Sequence, residues 1–106
     1  MEMAQYIISI LKTQLMVVWS WGFNSPIAIE NGIRFKVQGF KFQGLVEVQY
    51  DEGADLFNIL FIKSGEVVKA VNGVFSDSLV EVIDNTVEKT SDYEERVREE
   101  YSINVH

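Results

Sequence analysis

The sequence predicts a single α+β domain over residues 1–101, with an N-terminal helix, a four- to five-stranded antiparallel meander sheet and two C-terminal helices. Three observations carry this prediction. Apolar residues recur at helical spacing toward both ends of the chain, they alternate with period two between, and turn residues punctuate the alternating stretch at hairpin intervals.

The first helix is expected from Met3 to Met16 or Val18. Ala4, Ile7, Ile8, Leu11, Leu15 and Val18 recur three and four apart, while Gln5, Ser9, Lys12 and Thr13 take the other side. Trp19, Trp21 and Phe23 then alternate with Ser20, Gly22 and Asn24, so the chain is expected to become extended there. Pro26 marks a break, and Ile27 and Ile29 suggest a short strand.

Turn chemistry sets an expected register for each hairpin. A three-residue loop, Glu30-Asn31-Gly32, pairs Ile29 with Ile33 and Ile27 with Phe35. A two-residue Gly39-Phe40 turn, written with Gly first, pairs Val37 with Phe42, Phe35 with Gly44 and Ile33 with Val46. A turn at Asp51–Ala54 pairs Val48 with Phe57, Val46 with Ile59 and Gly44 with Phe61. Ser64-Gly65 pairs Phe61 with Val68 and Ile59 with Ala70, and the last strand ends at Asn72-Gly73. The run from Leu56 to Ile62 is apolar on both faces, which identifies a central strand covered on both sides.

Ser78-Leu79-Val80-Glu81 has the capping-box pattern, followed by Leu79, Ile83 and Val87 at intervals of four. Ser91-Asp92-Tyr93-Glu94 repeats that pattern and opens a second helix with a narrow stripe of Tyr93, Val97 and Tyr101. Residues 102–106 are expected to be a disordered tail.

Composition narrows the function classes. Hydrophobic residues at 47% and charged residues at 24% of 106 are values of a globular chain, not of a disordered one. The absence of cysteine excludes disulfides, thiolate metal sites and thiol nucleophiles, and fits a cytoplasmic protein. The apolar start lacks a positive leader and is interrupted by Gln5, Ser9, Lys12, Thr13 and Gln14, which argues against a signal peptide or membrane span. The net charge of −7 lies mainly in residues 77–106, with nine acids against three bases. No basic surface is expected to attract a phosphate backbone, so direct nucleic-acid binding is disfavoured.

No phosphate loop, dinucleotide fingerprint, nucleophile elbow or histidine-rich metal pattern occurs, and the glycines fall at turns or within strands. No catalytic residue, cofactor or metal site is therefore assigned. His106, the single histidine and last residue, is not expected to have the fixed position a general base needs. Asp51, Glu52 and Asp55 share one turn without the ligand spacing of a calcium loop. Glu47 and Asp55 are the carboxylates that an enzymatic reading would use.

The expectation is a non-enzymatic protein–protein interaction module, with a homodimer as one way to cover the second face of the central strand. Candidate partner-binding residues are Trp19, Trp21 and Phe23, for the hot-spot character of aromatics, Asp84 and Glu88 on an acidic helix face with Asp77 and Glu81, and the Tyr93, Val97, Tyr101 stripe. The alternatives are an acidic regulator of a basic protein surface, including a nucleic-acid mimic, and a small-molecule site between sheet and helices. Each group also has a plain structural role: aromatics that seal a core, acids on a solvated helix face, and a stripe packed against the domain.

Overall fold

The computed structural model describes residues 2–89. The second C-terminal helix expected at 91–101, the tail 102–106, and with them Tyr93, Val97, Tyr101 and His106, lie outside the described residues. The rest is an α+β fold. α1 (Met3–Leu11), a single 3₁₀ turn (Lys12–Gln14) and α2 (Leu15–Ser20) lead into β1 (Asn24–Ile29), β2 (Gly32–Gln38), β3 (Gln43–Asp51), β4 (Leu56–Lys63) and β5 (Glu66–Val74). A second 3₁₀ turn (Ser76–Ser78) opens α3 (Leu79–Val87). The strands form one antiparallel sheet in sequential order, β1-β2-β3-β4-β5, the meander expected from the turns.

The N-terminal helix is not continuous. Gln14 leaves helical geometry at φ −134°, ψ 58°, and the Thr13 hydroxyl donates to the Ile10 carbonyl just before the break. An unbroken helix would carry Leu15 inward with Leu11. The break rotates the apolar stripe, so Leu15 turns to solvent while Val18 and Trp21 enter the core. The expected extended stretch at residues 19–23 is also corrected: Trp19 is helical and Trp21 caps α2. Residues two apart share a face on a strand but lie about 200° apart on a helix. Accordingly Trp19 is 63% exposed and Trp21 is fully buried.

All three helices contribute to one core on one face of the sheet. Ala4, Ile7 and Leu11 of α1, Val18 of α2, and Leu79, Ile83 and Val87 of α3 meet Ile33, Phe35, Val46, Val48, Ile59 and Phe61 of the sheet. Full burial of each such side chain stabilises by about 1.5–3 kcal/mol. The Phe42 ring meets Phe61 edge-on at 5.7 Å.

The hairpin registers differ from those expected, in an instructive way. β2 and β3 pair Phe35 with Val46 and Ile33 with Val48, and β3 and β4 pair Val48 with Ile59 and Val46 with Phe61. Both are shifted by two residues, because the connecting loops are the four-residue stretches 39–42 and 52–55 rather than tighter or earlier turns. A shift of two preserves every side chain's face, so the predicted core survives. The first hairpin slips by one. Asn31, at φ 54°, takes the left-handed position, and Ile29 pairs with Gly32. Gly32 is needed in the strand itself, since a Cβ there would meet the Val48 carbonyl oxygen at 2.0 Å. The slip sends Ile27 to the uncovered face, opposite Arg34.

β5 begins as expected, with Lys63 paired to Glu66 across Ser64-Gly65. It then bulges at Val68, so Phe61 faces Lys69 instead of Val68, and bulges again near Asn72-Gly73 before running on to Val74. At the second bulge Gly73 adopts φ 71° and its N–H donates to the Asn58 side chain. The expected capping box is absent as a hydrogen bond. The 3₁₀ turn holds Ser78 at φ −106°, ψ −2°, outside the extended geometry of a side-chain cap.

The loop at 39–42 is pinned by α3. The N–H groups of Lys41 and Phe42 donate to the Val87 carbonyl at 2.8 and 3.3 Å, and the Phe40 N–H donates to Glu88 Oε2. A Cβ on Gly39 would lie 2.3 Å from both Cγ1 and the carbonyl oxygen of Val87. Gly39→Ala is therefore expected to destabilise by about 1–3 kcal/mol through overpacking. Gly53→Ala, with only the Asp51 carboxylate at 3.5 Å, should stay within about 0.5 kcal/mol. Urea denaturation followed by tryptophan fluorescence checks both.

Candidate functional site

The chain offers three surfaces built by different elements. The first is the joint of α2 and α3. Trp21 closes it from inside: its Nε1–H donates to Asp84 Oδ1 at 2.9 Å, its carbonyl accepts from Gln38 N–H at 2.6 Å, and its ring stacks 6.5 Å from Phe35. Phe23 is half-buried, 4.6 Å from the same Phe35 ring. Trp19 stands outside, on the exposed side of α2 with Leu15 and Met16. A shallow groove of about 260 Å³ runs beside it between Met16, Ser20, Asp84 and Glu88.

The structure thus divides the aromatic group named from the sequence. Trp21 and Phe23 are packed in the domain, and Trp19 alone of the three is open to a partner. Asp84 and Glu88, read as part of an outer acidic face, turn toward the sheet end and hold Trp21 and the 39–42 loop. Asp77 and Glu81 remain on the exposed side.

The second surface is the sheet face opposite the helices. Cross-strand pairing brings Leu45, Ile62 and Val67 into one row and Leu60 and Ala70 into the next. Glu47 and Arg34 continue the second row, joined through Arg34 Nε at 2.7 Å and NH2 at 2.5 Å. Gln49 Nε2–H adds a bond to the other Glu47 oxygen at 3.1 Å. Glu47 is buried by these neighbours despite lying on a face that no described helix covers.

The third surface lies at the far end, where α1 begins. Tyr6, Tyr50, Phe57 and Phe75 line a groove of about 520 Å³ together with Met3 and Asp55. Asp55 sits in the β3–β4 loop at φ 55° and accepts the Tyr50 hydroxyl at 2.5 Å. That bond holds the Tyr50 pKa above its ordinary value, with desolvation and the Asp55 charge adding to it. Sequence reasoning missed this groove, because its aromatics lie far apart in the chain and meet only through the sheet. Glu47 and Asp55, the carboxylates of the enzymatic reading, engage Arg34 on the uncovered face and Tyr50 on the helix side respectively.

Among the described residues no three acids or histidines converge to hold a metal, and no helix is long and apolar enough to cross a membrane. Comparison of the chain with protein-family models, with curated proteins and with solved structures finds no match.

Two predictions follow from the bonds at these surfaces. Asp84→Ala removes the acceptor of a buried indole N–H and should cost about 1–3 kcal/mol, whereas Glu81→Ala should stay within about 0.5 kcal/mol. Thermal and urea unfolding distinguish them. For Tyr50, the raised value means that its contribution to stability is complete below the phenol's unfolded value and is lost as pH rises through the folded one. Ultraviolet absorbance titration should show Tyr50 ionising late. Asp55→Asn should shorten that delay.

Proposed function

We propose that the domain is a non-enzymatic protein-interaction module that associates with a second copy of itself through the uncovered face of the sheet. The observation that carries this reading is the two-sided apolar character of β4. Phe57, Ile59 and Phe61 are buried under the helices, while Leu60 and Ile62 continue the apolar surface on the other side with Leu45, Val67 and Ala70. Val67, paired across the strands with Ile62, is still 55% exposed. Face-to-face stacking of sheets is a standard way to bury such a surface.

Charge favours a second copy as the occupant. The face carries Arg34 and Glu47 as an internal ion pair, so it presents no net charge that would repel an identical copy. The cytoplasmic setting expected from the cysteine-free sequence belongs to the same proposal.

A second reading rests on α2, where Met16 is 78% and Trp19 63% exposed. Exposed Trp and Met on a helix anchored by Val18 and Trp21 are features of a docking site for a different protein. The acidic-regulator reading is weakened, since Asp84 and Glu88 already have partners within the domain.

Light scattering coupled to size exclusion tests the principal reading. A dimer that dissociates on Val67→Lys and on Leu60→Lys, with circular dichroism unchanged, is the expected result. A monomer at millimolar concentration sinks it, and so does a dimer indifferent to both substitutions. If Trp19→Ala alone dissolves the dimer, the contact lies on α2 instead.

A further inference from the structure

The groove at the α1 end borders the core and lies apart from the face of the proposed dimer. Its walls come from three separated parts of the chain: Tyr6 of α1, Tyr50 and Phe57 of the β3–β4 hairpin, and Phe75 in the link to α3. Tyr6 lies nearly parallel to Phe57, at 6.4 Å and 23°, and Tyr50 tilts over the same ring at 5.3 Å. Phe75 is 64% exposed. Tyr6 and Phe75 are the exposed rings of this wall, and they offer the negative faces of their π systems to whatever enters.

Its charge is one-sided. Asp55 lies in the wall, Asp51 ends β3 and Glu52 opens the same loop, and among the described residues no lysine or arginine lines the groove. Asp51 is turned to the backbone, accepting from Gly53 and Ala54 N–H. Asp55 is fixed by the Tyr50 hydroxyl, and a carboxylate retains acceptor capacity beyond one such bond. Aromatic faces plus a positioned carboxylate select a cation over a neutral or anionic group. A planar guanidinium fits best, since it stacks on rings and pairs with a carboxylate at once.

We propose that this groove receives an arginine side chain presented by a protein partner. Asp55 pairs with the guanidinium, Tyr6 and Phe75 flank it, and the aliphatic stem lies against Met3. The site is independent of self-association and is intact in monomer or dimer.

The test is a nuclear magnetic resonance titration of the full-length chain with acetyl-Gly-Arg-Gly-amide. The neutral isostere with citrulline and tetramethylammonium chloride serve as comparison probes. The expected result is saturable shifts confined to Tyr6, Tyr50, Asp55 and Phe75 with the arginine peptide, and binding at least about tenfold weaker with citrulline. Asp55→Asn should weaken the arginine peptide by a similar factor, and Phe75→Ala by about two- to thirtyfold. Phe75 is exposed, so its removal leaves the core intact and keeps the test interpretable if Asp55→Asn disturbs the loop. Equal binding of the citrulline peptide, shifts located elsewhere, or no saturable shift overturns the proposal. Saturation by tetramethylammonium without the arginine peptide also overturns it, in favour of a small quaternary amine.

Discussion

The carbonyl of Val87 holds two parts of the chain that would otherwise be unrelated. A helix leaves its last carbonyls without internal partners, and a four-residue loop leaves amides without strand partners. Here Lys41 and Phe42 N–H meet Val87 O, so the orphan groups of α3 and of the β2–β3 loop satisfy each other. Gly39 permits the approach by having no side chain, and Glu88 takes the Phe40 N–H one step further along. Trp21 completes the joint by reaching Gln38 with its carbonyl and Asp84 with its indole. Three segments distant in sequence converge at one end of the sheet. Their meeting sets where α3 lies, and with it which face of the sheet is covered.

This constraint also accounts for the loops. Judged by local chemistry alone, Gly39-Phe40 suits a two-residue turn. A tighter turn would withdraw Lys41 and Phe42 from Val87 and break the bond network that seats the helix. Tertiary hydrogen bonding wins over local turn preference, and the register moves by two. Such a shift keeps every residue on its own face, so the periodicity of Ile33, Phe35, Val46, Val48, Ile59 and Phe61 was readable although their pairings were not. The first hairpin shows the opposite case. Gly32 reads as a left-handed turn residue, yet the chain needs it where β2 crowds the Val48 carbonyl, and Asn31 adopts the left-handed conformation instead.

The surfaces were less legible than the core for a related reason. An i, i+2 pair of tryptophans has the same appearance in sequence at a helix end and in a strand, but the two geometries send the rings to the same side or to opposite sides. Only the break at Gln14 decides the matter, and no glycine or proline announces it. Asp84 and Glu88 have the spacing of an exposed acidic stripe, while their actual partners are an indole and a loop amide supplied from far along the chain. The Tyr50–Asp55 bond is local, but Tyr6 and Phe75 reach that groove from opposite ends of the described chain. Long-range convergence leaves no periodic trace.

The edges of the sheet bear on how two copies would meet in the proposed self-association. An unpaired strand edge is the usual place for sheets to join, because its backbone groups seek partners. Both edges here are irregular. β1 is shifted between Asn24 and Ile27, around Ser25 at φ 54° and Pro26, which has no N–H to give. β5 bulges twice, and Lys69 turns from it to Thr86 of α3. Bulges, a proline and a charged residue twist or interrupt the row of hydrogen-bonding groups that edge pairing needs. The β3–β4 ladder at the centre of the sheet, by contrast, runs without irregularity and carries Leu45, Leu60 and Ile62 on its outer side. The fold spends its irregularities on the edges and keeps regular apolar surface on the face. In the proposed self-association, stacking of side chains on that face is therefore the geometry these edges leave open, rather than extension of the sheet.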